Sequence, residues 1–220
     1  RTVLTLGYLT TAVTVSGVIV NFKDKPFSQA CENNKEPIFD LLAPLLQDKT
    51  HLLEIGSGTG QHAVWFAPQL PHLIWQTSDL IENHQGILQW LDDYPAANLR
   101  APITLNVAEA QWPDVSADAV YTANTAHIMA WHEVQAMFEK VSSNLPANGI
   151  FSLYGPMKYA GEHTSESNRF FDLRLRERVA HRGIREFHEI NQLALNGDLI
   201  LLDDHAMPAN NRLLIWQKST

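Results

Sequence analysis

The sequence predicts a doubly wound α/β fold: a mostly parallel, seven-stranded, Rossmann-like sheet with a C-terminal antiparallel hairpin, preceded by an extra N-terminal β segment. Three observations predict it. Short apolar, β-branched runs alternate with segments of helical periodicity from about residue 27 to residue 155, the pattern of strands and crossover helices in a parallel sheet. Leu52-Leu53-Glu54-Ile55-Gly56-Ser57-Gly58-Thr59-Gly60-Gln61-His62 runs an apolar strand into a glycine-rich turn and then an amphipathic helix. Two strand-like runs close the chain, Asp198 to Asp203 and Leu213 to Gln217, joined through Met207-Pro208-Ala209-Asn210-Asn211.

Taken in order, the chain begins with an uncharged run, Thr2 to Val20, long enough to span a bilayer. Its five threonines, one serine and two glycines, with the alternation in Ala12-Val13-Thr14-Val15-Ser16, read instead as one or two strands with a hairpin near Gly7. Residues 1–24 are therefore expected to form a β extension and residues 25–220 the main domain. Exposed β-branched strands find partners, so the extension is the expected homodimer contact, and no membrane association is expected.

From Phe27 to Gln47, Ile38, Leu41, Leu42 and Leu45 recur at helical spacing; Pro37 suits a first turn, and Pro44 should end or kink the helix. The first sheet strand is His51 to Gly56, and its helix runs from about Thr59 to Gln69. His72 to Ser78 is the second strand, with Asp79 at its end, then a helix from Glu82 to Leu91 and a third strand from Ala101 to Asn106. Ala117 to Asn124 is the fourth strand, entering the sheet centre. Trp131, Val134, Met137, Phe138 and Val141 give the next helix an apolar face, and Pro146 with Gly149 stops it. Ile150 to Tyr154 is the fifth strand. Beyond it, Lys158 to Asn168 reads as a polar loop, and Phe170 to Val179 and Phe187 to Leu195 as helices.

The glycine spacing narrows the chemistry. Glycines at alternate positions let the backbone turn tightly beside a ligand, and the following helix offers unpaired N–H groups. A dinucleotide loop, G-x-G-x-x-G, would need glycine where Gln61 stands. Asp79, nineteen residues past Gly60, lies where a doubly wound fold holds the ribose hydroxyls of a cofactor. Asn124-Thr125-Ala126-His127-Ile128 ends the fourth strand on the same carboxyl edge. A net charge of −8, from 16 basic and 24 acidic residues, argues against a nucleic-acid partner. The one basic grouping is Arg174 to Arg178 with Arg182 to Arg185. The single Cys31 precludes an intramolecular disulfide and fits a reducing, cytoplasmic setting. The ten histidines, scattered without cysteine partners, give no metal site.

The motif E-x-G-x-G-x-G, Glu54 to Gly60, resembles the first motif of class I S-adenosylmethionine (SAM) methyltransferases. In that family the acidic residue anchors the loop and the glycines lie under the methionine part of the cofactor. A closer resemblance is to a methyltransferase-like subfamily, long classed as a domain of unknown function and found in bacteria and animals. It is carried by Asn34-Lys35-Glu36-Pro37-Ile38, Glu54 to His62, Trp75-Gln76 with Ser78-Asp79, and His127-Ile128 with Trp131. It continues through Tyr154-Gly155-Pro156, His163-Thr164-Ser165, Ser167-Asn168, Phe171-Asp172 and Met207 to Asn211. The coverage begins at about Phe27, and Asn33 stands where the subfamily usually has arginine. The resemblance implies a SAM site formed by Glu54, Gly56, Ser57, Gly58, Gly60, Gln61, His62, Asp79 and Asn124. Asn106 and Val107 stand where the wider family often has an acid contacting adenine.

Methyl transfer needs a nucleophile held in line, and a base only if that nucleophile arrives protonated. His127 is the candidate catalytic base, while Tyr154, His163, Asn168, Asn210 and Asn211 are candidates to line the acceptor pocket. Trp131 is expected to pack beneath the site. The leading expectation is a SAM-dependent methyltransferase acting on a small molecule or an exposed protein group, the small molecule being preferred. A catalytically silent SAM-binding module acting through protein contacts is the alternative, and a nicotinamide-dependent oxidoreductase a distant third.

Overall fold

The computed structural model describes residues 13–15, 18–20 and 25–220. β1 (Val13–Val15) and β2 (Val18–Val20) pair antiparallel with each other. The turn expected near Gly7 lies outside the described residues. α1 (Gln29–Leu45) follows, then β3 (His51–Ile55), α2 (Gln61–Phe66), β4 (Ile74–Asp79), α3 (His84–Asp93), β5 (Leu99–Thr104), β6 (Ala119–Ala123) and α4 (Trp131–Asn144). The chain continues through β7 (Ile150–Gly155), β8 (Met157–Tyr159), β9 (Glu162–His163), α5 (Glu166–Arg178), β10 (Arg185–Glu186), α6 (Phe187–Asn196), β11 (Leu199–Met207) and β12 (Asn211–Lys218).

The main sheet has seven strands in the order β5-β4-β3-β6-β7-β12-β11. The first five are parallel, and β12 runs antiparallel to both β7 and β11. The two-residue period of the strands sorts their side chains onto two faces. Leu53, Ile55, Val120, Phe151, Leu153, Leu214 and Trp216 pack with Val134, Met137, Phe138 and Val141 of α4 and Ile190 of α6. Leu52, Trp75, Ala119, Tyr121, Leu213 and Ile215 face the other way, onto Ile38 and Leu42 of α1 and Ala63 and Phe66 of α2. Both faces of the sheet are therefore covered, as a parallel sheet requires.

The connections fix where a ligand can sit. From β3 the chain winds outward to β4 and β5, then returns to lay β6 on the opposite side of β3. The strand order thus reverses between β3 and β6, and a crevice opens at their carboxyl ends, the usual ligand position in open α/β sheets.

Two local expectations are corrected. Pro37 lies in mid-helix, not in a first turn: α1 starts at Gln29, where the Ser28 side chain caps it by accepting from the Cys31 N–H at 3.3 Å. The helix carries on through Pro37, and Pro44 stands in its last turn. Complete burial of Ile38, Leu42 and the following Leu46 offsets the donors that the two prolines remove. Residues 158–168 are not a loop. β8 pairs with β9 and with β10 in a small second sheet, and α5 begins at Glu166 because Ser165 caps it, its hydroxyl accepting from the Asn168 N–H at 3.1 Å. Among the described residues no helix is long and apolar enough to cross a membrane.

Candidate functional site

The turn after β3 is built on left-handed backbone: φ is +71° at Gly56, +60° at Gly58 and +87° at Gly60. A side chain at Gly56 would also collide with Thr125, whose Cγ2 lies 2.7 Å from the place of a Cβ, so this glycine lets the turn abut the loop after β6. Around Gly58 nothing lies within 4 Å of that place. Glu54, buried on the α1/α2 side of β3, braces the turn from below: its Oε2 accepts from Ser57 Oγ at 2.9 Å and from the Trp75 indole at 3.0 Å. Burial pushes the Glu54 carboxyl up to about 7 against those two hydrogen bonds, and the nearby Asp79 charge adds to the rise.

At the tip of β4, Asp79 closes the turn. Its Oδ2 accepts the Gly58 N–H at 2.7 Å, and its Oδ1 accepts from the Leu80 N–H and the Asn83 amide, both at 2.7 Å. The glycine turn and this carboxylate are thus one unit, joined across β3 and β4.

They open onto a cavity of about 940 Å³. Glu54, Gly56, Ser57, Gly58, His62 and Asp79 line it with Asn106, Val107, Asn124 and His127. The segment from Pro26 to Cys31 lies along another wall, held by hydrogen bonds from Trp90 Nε1 to the Pro26 carbonyl (2.6 Å) and from the Ser28 N–H to Gln61 Oε1 (2.6 Å). Gly86 permits this wall, because a Cβ there would sit 2.5 Å from Pro26 Cγ.

On the far side, Asn124 takes φ +59°, a left-handed conformation that asparagine tolerates, and its N–H donates to the Tyr154 carbonyl at 2.8 Å. The loop it opens carries His127, buried at 6 % exposure, with its ring edge-to-face against Phe171 at 5.3 Å. Burial, with the Arg185 and Arg182 charges beside it, lowers the His127 pKa to about 4, so the imidazole is neutral at physiological pH. The loop is clamped from the α5–β10 connection. Gly183 N–H donates to the His127 carbonyl at 2.9 Å, and the Arg185 guanidinium donates to the Ala126 carbonyl at 2.8 Å and to that of Met129.

Other residues singled out in the sequence stand away from the cavity lining. Gly60 is buried beneath α3, and a Cβ there would come within 3.3 Å of the Ile87 backbone, so its bareness serves helix packing. Gln61 pins α1: its amide grips Ser28 N–H and carbonyl and donates to Glu32 Oε1 at 2.7 Å. Tyr154 is buried at 2 % exposure and bonds the side chains of Asn34 and Asn211. Asn34 Oδ1 in turn meets His62 Nε2 at 2.7 Å, so a polar chain crosses the core under α1. Asn168 ties the start of α5 to the Asn210 carbonyl at 2.9 Å, and His163 meets Asp172 at 3.2 Å. These five proposed acceptor residues therefore gather around the β7, α5 and β11–β12 junction, outside the cavity wall. Trp131 also lies off the wall, its ring facing the Arg185 guanidinium at 5.8 Å. In their place the wall near His127 is completed by Thr125, Glu133, Phe171, His181 and Arg182. Of these, Thr125 lay in the run singled out at the end of the fourth strand, Phe171 in the run Phe171-Asp172 and Arg182 in the basic grouping, while nothing had signalled Glu133 or His181. Among the described residues no cluster of three or more His, Cys, Asp or Glu is placed to hold a metal ion.

The profile of the family described as "Protein of unknown function (DUF938)" matches residues 25–218. Among solved structures, the fold is similar to an O-methyltransferase family protein from Burkholderia thailandensis, with a TM-score of 0.75 and 15 % identity over 84 % of this chain and 56 % of that one. An O-methyltransferase family 2 protein from Planctomyces limnophilus in complex with apigenin gives a TM-score of 0.74 and 16 % identity, over 86 % of this chain and 58 % of that one. Human N-acetylserotonin methyltransferase in complex with SAM gives 0.67 and 13 %, over 87 % and 59 %. This chain thus spans a little over half the length of each, and at such identities the likeness shows a shared class I methyltransferase fold.

Proposed function

From the premise that this chain belongs to the DUF938 family, we propose that it binds SAM and transfers the methyl group to a small-molecule acceptor. One observation carries the reading: the glycine turn and Asp79 are joined by the 2.7 Å Gly58 to Asp79 hydrogen bond and open together onto a cavity roomy enough for a cofactor and a second small molecule. The likeness to O-methyltransferase structures supports the same class of acceptor.

The residues fit the cofactor. At Gly58 the space that a side chain would fill is open, and Gly56 and Gly58 let backbone come close to a ligand. Asp79 Oδ2 takes one backbone donor where a carboxylate oxygen can take two, so it retains capacity for a ribose hydroxyl. Leu80, Asn106 and Val107, on the wall beyond Asp79, would flank adenine. When bound, SAM supplies an electrophilic methyl carbon, which a nucleophile displaces in line to leave a neutral thioether. His127, neutral and on the wall at the end of β6, receives the acceptor's proton at a ring nitrogen. With a pKa of about 4 it is too weak a base to ionise the acceptor beforehand; it accepts the proton as positive charge develops on the nucleophile. Phe171, edge-to-face on the imidazole, shields it from water on one side.

Incubation with methyl-labelled SAM and a panel of small hydroxyl, thiol and amine compounds tests this reading. Labelled product and equimolar S-adenosylhomocysteine are expected with at least one compound. His127→Ala should lower turnover by about 100-fold or more while leaving SAM affinity within a few fold. Undiminished turnover in that variant would remove His127 from the chemistry. Binding of SAM without transfer to any compound would favour a silent binding module.

A further inference from the structure

We propose that Arg182 is the specificity anchor of the acceptor pocket and that the acceptor is a small carboxylic acid with an apolar body, an inference that rests on the methyltransferase reading above. The connection from α5 to β10 is built to present this residue. Ile184 N–H donates to Asp172 Oδ1 at 2.6 Å, Gly183 N–H donates to the His127 carbonyl, and Arg182 N–H donates to the Val179 carbonyl at 3.0 Å. Gly183 is needed for that seating, since a Cβ there would lie 2.9 Å from Asp172 Oδ1 and closer still to the Arg176 guanidinium. The loop therefore holds Arg182 on the cavity wall beside His127.

There the guanidinium, half-buried on the wall, has no hydrogen-bond or ion-pair partner among the described residues. Arg182 Nε is buried without a hydrogen bond, alone in this respect among the side-chain nitrogens and oxygens of the described residues. The acids around it are committed elsewhere. Asp172 serves Ile184, Arg176 and His163, and Glu133 on the same wall accepts the Ala130 N–H at 2.6 Å. No carboxylate of the described residues lies within 4.0 Å of Arg182. Its neighbour Arg185 adds a second cation that is bonded to main-chain carbonyls, so this end of the cavity is electropositive in a protein of net charge −8.

A guanidinium left without a protein partner on a cavity wall keeps its exposed N–H donors for a ligand that brings acceptors. A carboxylate matches the guanidinium fork with two parallel bonds. Phe171, Ile128 and Met129 on the same wall are apolar and suit an aryl or short alkyl body. The cofactor also carries a carboxylate, and the experiment must separate the two sources. Arg182 reaches the cavity through the loop seated on His127, not through the glycine turn, which favours the acceptor.

The test is calorimetric titration of protein saturated with S-adenosylhomocysteine, using benzoate, phenylacetate, 3-phenylpropionate and butyrate, each against its primary amide. At least one acid should bind ten-fold or more tightly than its amide. Arg182→Gln should abolish that preference while S-adenosylhomocysteine affinity stays within about three-fold, and Arg182→Lys should restore only part of it. Equal binding of every acid and its amide by the wild-type protein overturns the proposal and needs no variant to fold. A variant that loses S-adenosylhomocysteine instead would also overturn it, because the guanidinium would then serve the cofactor. Failure of the wild-type protein to bind S-adenosylhomocysteine at all would instead overturn the methyltransferase reading beneath it.

Discussion

Glu54 shows how one residue can read as a ligand contact and act as a brace. It stands on the face of β3 that otherwise buries Leu52, and both of its hydrogen bonds converge on Oε2, from Ser57 below the turn and from Trp75 on β4. Its charge is therefore a burden to the fold, and the sign follows from the pKa rise. Between its ordinary value of 4.5 and about 7 the folded state holds a proton that the unfolded state has lost. The stability this group contributes is complete below about pH 4.5 and disappears as pH rises through 7. Glu54→Gln keeps an oxygen for both donors and removes the titration. The stability of this variant relative to wild type should thus rise between pH 5 and pH 8, by on the order of 3 kcal/mol. Urea unfolding of the two proteins at both pH values measures it, and a difference that does not change with pH would show that Glu54 is ionised in the folded protein throughout.

At the scale of elements, α1 is the cavity wall whose position the rest of the site depends on. Gln61 fixes it, holding Ser28 at the helix cap and Glu32 in its first turn from the start of α2. Gln61→Ala should fray the first turn of α1, seen as faster amide hydrogen exchange over residues 28–32, and weaken S-adenosylhomocysteine binding several-fold. Unchanged exchange there would mean that burial of Ile38 and Leu42 alone positions the helix. The sequence placed Gln61 beside the cofactor because it follows the glycine motif directly. What it does instead depends on where α1 returns in space, which no local spacing records. Gly60 lies off the cavity lining for the same reason, since it packs against α3, more than twenty residues on. The strands of the main sheet were legible because each is a short apolar run between turn residues. β8, β9 and β10 were not: they span two or three residues each and are polar enough to pass for loop.

For the whole molecule, the order of the sheet brings together residues that are far apart in the chain. Gly56, Asp79, Asn106, Asn124 and His127 line one cavity because their strands end on one edge, and each was legible as lying at or just past the end of an expected strand. Arg182 and Phe171 had been noted, but not as part of the site, because they reach the same cavity from outside the alternating pattern, through α5 and the connection after it. Of the five polar residues expected to form the acceptor pocket, Tyr154, Asn168, Asn210 and Asn211 lock the C-terminal hairpin to β7 and α5, and His163 bonds Asp172 of α5. On the reading proposed above, the sheet supplies the cofactor side of the cavity and the later additions the acceptor side.

The central claim, that the glycine turn and Asp79 form a SAM site, is tested most directly by thermal unfolding with and without S-adenosylhomocysteine, for wild type and Asp79→Asn. A ligand bound by the folded state alone stabilises by RT ln(1 + [L]/Kd), so a hundred-fold excess over Kd should raise the midpoint by roughly 5 to 10 °C in a chain of this length. Wild type should show that shift, and Asp79→Asn should lose it or need ten-fold more ligand. No shift at millimolar S-adenosylhomocysteine, or an equal shift in the variant, would contradict it.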